Sequence, residues 1–149
     1  MLLSVISNSV FETLVIAKTF TKTLCPGDIV LLNGDLGAGK THFAKGIAEG
    51  LEIRDNITSP TFTIMNAYYG GKIPFFHLDM YRIDNEDDVF ELGLEEFIFD
   101  GGGITAIEWN KYRDFKGRRV FEIDIKRIDD DTREIIISDK TESGKKGSF

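Results

Sequence analysis

The stretch Asn33-Gly34-Asp35-Leu36-Gly37-Ala38-Gly39-Lys40-Thr41-His42-Phe43 places three glycines and a lysine between two apolar segments. Glycine is entropically costly in ordered structure, so such a cluster signals backbone that must come close to something. Upstream, Asp28-Ile29-Val30-Leu31-Leu32 is a short unbroken apolar run, the pattern of a strand buried on both faces in a parallel sheet covered by helices. Downstream, Thr41 to Glu49 predicts a helix that stops at Gly50. Strand, glycine-rich turn and helix in that order predict an α/β fold.

The turn fits G-x-x-x-x-G-K-[ST] in full, from Gly34 to Thr41. Glycines let successive backbone N–H groups turn inward as a concave anion nest, and the helix start adds unpaired N–H groups and a positive dipole end. Lys40 is placed to reach the β- and γ-phosphates, and the Thr41 hydroxyl to ligate magnesium. Asp35, Leu36, Gly37, Ala38, Gly39, Lys40, Thr41 and His42 are therefore the expected binding residues for a nucleoside triphosphate. The fold expected is a P-loop NTPase-type α/β sheet, its parallel core extended by antiparallel β-hairpins, with helices on both faces.

A phosphate nest needs an acid at a neighbouring strand end for its magnesium. Two candidates exist: Glu108 closes Ile104-Thr105-Ala106-Ile107, and Asp79 closes Phe75-Phe76-His77-Leu78. One can hold the metal while the other orients the attacking water or a neighbouring ligand. Ser59-Pro60-Thr61-Phe62 falls where a nucleotide-sensing loop would lie, and Thr61 is its candidate contact.

Further out, Ser9-Val10-Phe11-Glu12 has capping-box spacing, and Phe11, Leu14, Val15, Ala17 and Phe20 recur at helical intervals up to Cys25-Pro26-Gly27. Thr61–Tyr69 and Ile73–Leu78 predict a hairpin around Gly70-Gly71, and a helix is expected from about Asn85 to Phe99. Val120–Lys126 and Glu134–Ser138 predict a second hairpin around Asp129-Asp130-Asp131. Residues 1–138 read as a single domain, and 139–149 as a polar tail that frays.

The 149 residues suit one domain, and 42% hydrophobic with 29% charged residues is globular composition. A net charge of -7 argues against general polyanion binding, DNA included. The lone Cys25 and the lack of a signal pattern or long apolar run predict a soluble, cytoplasmic protein with no membrane partner. Zinc is not expected, because His42, His77 and Cys25 lack ligand spacing.

The combination of Gly34-Asp35-Leu36-Gly37-Ala38-Gly39-Lys40-Thr41, Ser59-Pro60-Thr61-Phe62, His77-Leu78-Asp79-Met80-Tyr81-Arg82 and Glu108-Trp109, in a chain this short, resembles the TsaE (YjeE) family. The likeness runs from the first helix to the last hairpin. It implies a small bacterial ATPase of tRNA threonylcarbamoyladenosine biosynthesis that hydrolyses ATP slowly with Mg2+. Its implied partners are TsaB and TsaD, with tRNA met through their complex. It also puts Lys40 and Thr41 on the family's phosphate and magnesium positions, and Glu108 on its Walker-B-like acid. Thr61 and Asp79 fall in switch-like segments, Trp109 on the family's tryptophan, and Arg133 on an arginine near the nucleotide base. His42 departs from relatives that carry a second threonine there.

Rival readings fare worse. A GTPase needs N-K-x-D, but Asn110-Lys111-Tyr112-Arg113 puts arginine where guanine requires a carboxylate. A small-metabolite or nucleotide kinase needs a lid and an arginine-rich acceptor region that the chain has no room for. A nucleotide-gated assembly factor, in which hydrolysis acts as a timer, is compatible with the family reading. Lys111, Arg113, Lys116, Arg118 and Arg119 form the one basic stretch, a solvated loop or a partner-facing one.

Overall fold

The computed structural model describes residues 2–61 and 63–141. In chain order its elements are β1 (Leu2–Ser7), α1 (Val10–Thr21), β2 (Ile29–Asn33), α2 (Lys40–Gly50), β3 (Met65–Tyr68), β4 (Phe75–Asp79), α3 (Glu86–Glu91), a π-helical turn (Glu96–Asp100), β5 (Ile104–Glu108), β6 (Val120–Arg127) and β7 (Arg133–Asp139). The strands form one sheet in the order β1-β7-β6-β2-β5-β4-β3. Its centre is parallel: β2 pairs with β5 and β6, and β5 with β4. Antiparallel partners finish both edges, β3 on β4 at one side, and β7 on β6 followed by β1 on β7 at the other. This is the predicted α/β sheet with a parallel core and hairpin additions.

The period of two along β2 divides the core. Val30 and Leu32 join Ala17, Phe20, Phe43 and Ile47 beneath α1 and α2. Ile29 and Leu31 join Phe76, Val89, Ile98 and Ile107 on the opposite face, beneath α3 and the π-helical turn. Gly46 is what lets the two long helices touch: a Cβ there would lie 2.5 Å from the Ala17 Cβ and 2.8 Å from the Leu14 carbonyl oxygen. Among the described residues no helix is long and apolar enough to cross a membrane.

Three local expectations need correction, and one element was not expected. The predicted 85–99 helix is broken. Asn85 caps α3 by accepting from the N–H groups of Asp87 and Asp88, but Gly93 adopts φ +74° and closes the helix after two turns. Thr61–Tyr69 is not strand throughout. Ile64 takes φ +69° and donates to the Pro60 carbonyl at 2.7 Å, so β3 starts only at Met65. On α1 the predicted apolar stripe is only partly buried: Phe11 is 73% exposed, and Thr13, Ala17, Phe20 and Thr21 face the core. The unexpected element is β1, an edge strand absent from the sequence reading. Its side chains are mostly exposed on both faces, so they carry no alternation, and its register comes from β7. The predicted tail starts at Asp139, which closes β7; residues 142–149 lie outside the described residues.

Candidate functional site

The central strand β2 delivers the chain at Asn33 into the glycine-rich turn, and α2 leaves from it. Gly39 stands at the helix entrance with φ +116° and offers no side-chain cap, so the leading N–H groups of α2 remain uncapped by any side chain. Gly34 has a different reason. A Cβ there would sit 2.7 Å from the Ile125 carbonyl oxygen and 3.0 Å from the Ala38 Cβ, so the loop could not lie against β6.

Lys40 is buried and folds back over its own loop. Its Nζ donates to the Gly34 carbonyl at 2.6 Å and lies 3.8 Å from the ring centroid of Trp109. Burial lowers its pKa from the ordinary lysine value, opposed by the negative charges of Glu108, Asp79 and Asp35. Trp109 reaches it from a backbone at φ +57°, a conformation that costs a bulky residue about 1–3 kcal/mol and points to a fixed task for the ring. The Tyr81 ring packs against that ring edge-to-face, with centroids 5.1 Å apart and planes at 68°.

The two expected acids end adjacent parallel strands, where Asp79 is the register partner of Glu108. Both are buried, at 4% and 3% exposure. Glu108 Oε2 is 2.7 Å from His77 Nε2. Asp79 accepts from the Thr61 hydroxyl at 3.2 Å and from the Tyr81 N–H at 2.8 Å, and Thr61 is in turn 2.8 Å from the Ser59 hydroxyl. The 59–61 segment is thereby tied to the acid.

These groups share one cleft of about 560 Å³. Gly37, Gly39, Lys40, Thr41, Thr61, Asp79 and Glu108 line it together with Leu36, His42, Ser59, Tyr81 and Trp109. Burial lowers the His42 pKa from its usual value, helped by the nearby charges of Lys45 and Arg133. Asp35 and Ala38 border a separate groove against β6 and β7. Arg133 lines neither. Its guanidinium donates to the carbonyls of Ala38 at 2.8 Å and Gly37 at 3.4 Å, and to Asp129 in the β6–β7 turn at 2.8 Å. It braces the glycine-rich loop from outside, its guanidinium occupied with loop backbone.

The donor set suits magnesium. Among the described residues no three His, Cys, Asp or Glu side chains form a protein-only metal cage. Magnesium is ordinarily held by one or two carboxylates with phosphates and waters, which is what Glu108, with one oxygen left by His77, and the Thr41 hydroxyl can offer.

The basic stretch lies at the surface, with Lys111, Arg113, Lys116 and Arg119 exposed, but three of its five side chains bond within the chain. Lys111 Nζ donates to the Ile83 carbonyl at 2.7 Å, and Arg118 to the Phe99 carbonyl at 2.5 Å. Arg119 forks onto Asp28 at 2.9 and 3.1 Å, a bond that raises its pKa further.

Comparison with known proteins assigns the family and the fold. The family model described as "Threonylcarbamoyl adenosine biosynthesis protein TsaE" matches residues 7–135. The chain belongs to the TsaE family. The Bacillus subtilis (strain 168) TsaE protein is 46% identical over 125 residues, 83% of this chain and 77% of that one. The Rickettsia bellii TsaE protein is 40% identical over 130 residues, 86% of this chain and 89% of its own. The crystal structure of Bacillus subtilis YdiB superposes with a TM-score of 0.77 at 34% identity, covering 98% of this chain and 90% of that one. TsaE membership places the chain in tRNA threonylcarbamoyladenosine biosynthesis.

One contact escaped the sequence reading of this TsaE chain: His77 on Glu108. The signal was present, since alternation along β4 puts His77 and Asp79 on one face. A histidine without ligand spacing gave no reason to follow it.

Proposed function

We propose that this chain binds Mg·ATP in the cleft between α2 and the ends of β4 and β5, hydrolyses it slowly, and acts in the cytoplasm as the nucleotide-gated partner of a TsaB–TsaD complex. The observation that carries this reading is the convergence of the Lys40 ammonium, the Thr41 hydroxyl and two buried acids, Asp79 and Glu108, on a single cleft floored by an anion-binding turn. Adenine is favoured over guanine because Arg113 occupies the position of a guanine-reading carboxylate.

On this reading the loop N–H groups and Lys40 receive the phosphates. Lys40 exchanges its bond to the Gly34 carbonyl and its place on Trp109 for phosphate oxygens. Thr41 and Glu108 would hold magnesium, which supplies charge neutralisation at the phosphate oxygens. Asp79, steadied by Thr61 and the Tyr81 N–H, orients the attacking water. The same Thr61–Asp79 bond makes the 59–61 and 79–82 segments respond together, so a partner that prefers one arrangement senses the nucleotide.

The test is ATP turnover by the isolated chain and then with TsaB, TsaD and tRNA added. Slow hydrolysis alone and strong stimulation by the mixture are expected. No turnover in either setting contradicts the ATPase reading, and turnover indifferent to the mixture contradicts the partnership.

A further inference from the structure

His77 is fully buried, beside the Phe75 ring with centroids 6.1 Å apart and planes at 22°. Its Nε2 lies 2.7 Å from Glu108 Oε2, while its Nδ1 is buried with no hydrogen-bond partner. A core position needing only volume would be filled more cheaply by leucine or phenylalanine, which bring no polar atom to strand there. The strands themselves need no such tie either, since β4 and β5 are already paired in register from Phe75–Ile104 to Asp79–Glu108. The imidazole is therefore retained for what its Nε2 does to the carboxylate.

We propose that His77 is the positioning residue of Glu108: its Nε2–H donates to Oε2, fixes the carboxylate rotamer, and leaves Oε1 for the cleft that Glu108 lines. Glutamate has three rotatable side-chain bonds, and an unanchored carboxylate at this strand end would sample several orientations. With the ring in place, one oxygen is committed and the other presented. This ordering of a metal-binding acid by a buried partner is the usual work of groups behind a metal site. The kinetic side of the proposal rests on the Mg·ATP reading above.

The experiment compares the parent, His77→Leu and His77→Gln. Glutamine can present an amide N–H near the place of Nε2, and leucine cannot. The leucine variant should lose roughly 10–100-fold in kcat, the scale seen when partners of metal ligands are removed, with KM for ATP within about threefold. His77→Gln should recover most of that loss, and melting temperatures show that both variants fold. Unchanged kcat in the leucine variant overturns the proposal. So does a glutamine variant that is folded and as slow as leucine. A separate readout uses the nucleotide-free chain: the imidazole Nε2 proton should give a slowly exchanging, hydrogen-bonded NMR signal that Glu108→Ala abolishes. Its absence from the parent overturns the pairing whether or not the chain hydrolyses ATP, so the two readings fail separately.

Discussion

Asp79 and Glu108 stand directly opposite each other at the C-terminal ends of neighbouring parallel strands, each almost wholly buried. Two carboxylates brought this close in a partly dry setting repel unless cations lie between or beside them, and Lys40 faces both. The arrangement suits a site where positive charge is a permanent guest. Glu108→Ala should therefore reduce magnesium-dependent hydrolysis at least tenfold while changing nucleotide affinity much less. Parallel measurements of turnover and Mg·ATP binding check this, and equal losses in both would contradict it.

Trp109 is the chain's single tryptophan, and its ring lies against the Lys40 ammonium. Nucleotide that draws Lys40 away should change the intrinsic emission in a saturable way. Lys40→Ala should remove that response. Emission that stays flat through saturating Mg·ATP would contradict the exchange of partners proposed for Lys40.

Gly46 sets the distance between α1 and α2. Gly46→Ala adds a methyl where the Ala17 side chain and the Leu14 backbone already stand, at 2.5 and 2.8 Å. Overpacking of this kind costs about 1–3 kcal/mol, which lowers the melting temperature of a chain this size by several degrees. Thermal unfolding followed by circular dichroism measures it, and an unchanged transition would show that the helices are free to separate.

Tyr112 is buried and its hydroxyl donates to Glu95. Burial first, then the bond to Glu95 and the charges of Glu95, Glu86 and Asp114, push its pKa well above the ordinary tyrosine value. Because the folded pKa is the higher one, this contribution to stability is complete below about pH 10, the unfolded tyrosine value, and is lost as pH rises toward the folded pKa. Urea unfolding between pH 8 and pH 11 should show the parent weakening more steeply than Tyr112→Phe. Identical slopes would contradict it.

What the sequence revealed depended on how locally each feature is determined. The glycine-rich turn, its strand and its helix are written in consecutive residues, and they fold as expected because Gly34 and Gly39 do what other residues cannot. Asp79 and Glu108 were recognisable as acids closing apolar runs, but their register is a long-range property that no local pattern carries. The edge strand β1 was invisible because a strand exposed on both faces has no alternation, and the 85–99 helix failed because Gly93 lies within an otherwise helical pattern. Arg133 was expected near the nucleotide base only through the family likeness; its engagement with the Ala38 and Gly37 carbonyls depends on how the β6–β7 turn folds back, which no local pattern carries.

The central claim is that the turn from Gly34 to Thr41, with Lys40, holds the phosphates of ATP. Calorimetric titration of the chain and of Lys40→Ala with Mg·ATP tests it most directly. The parent should bind one nucleotide per chain, and the variant should bind roughly 10–100-fold more weakly, as loss of a charge-assisted hydrogen bond entails. A parent that gives no binding heat at saturating concentrations, or a variant that binds as well as the parent, would contradict the account.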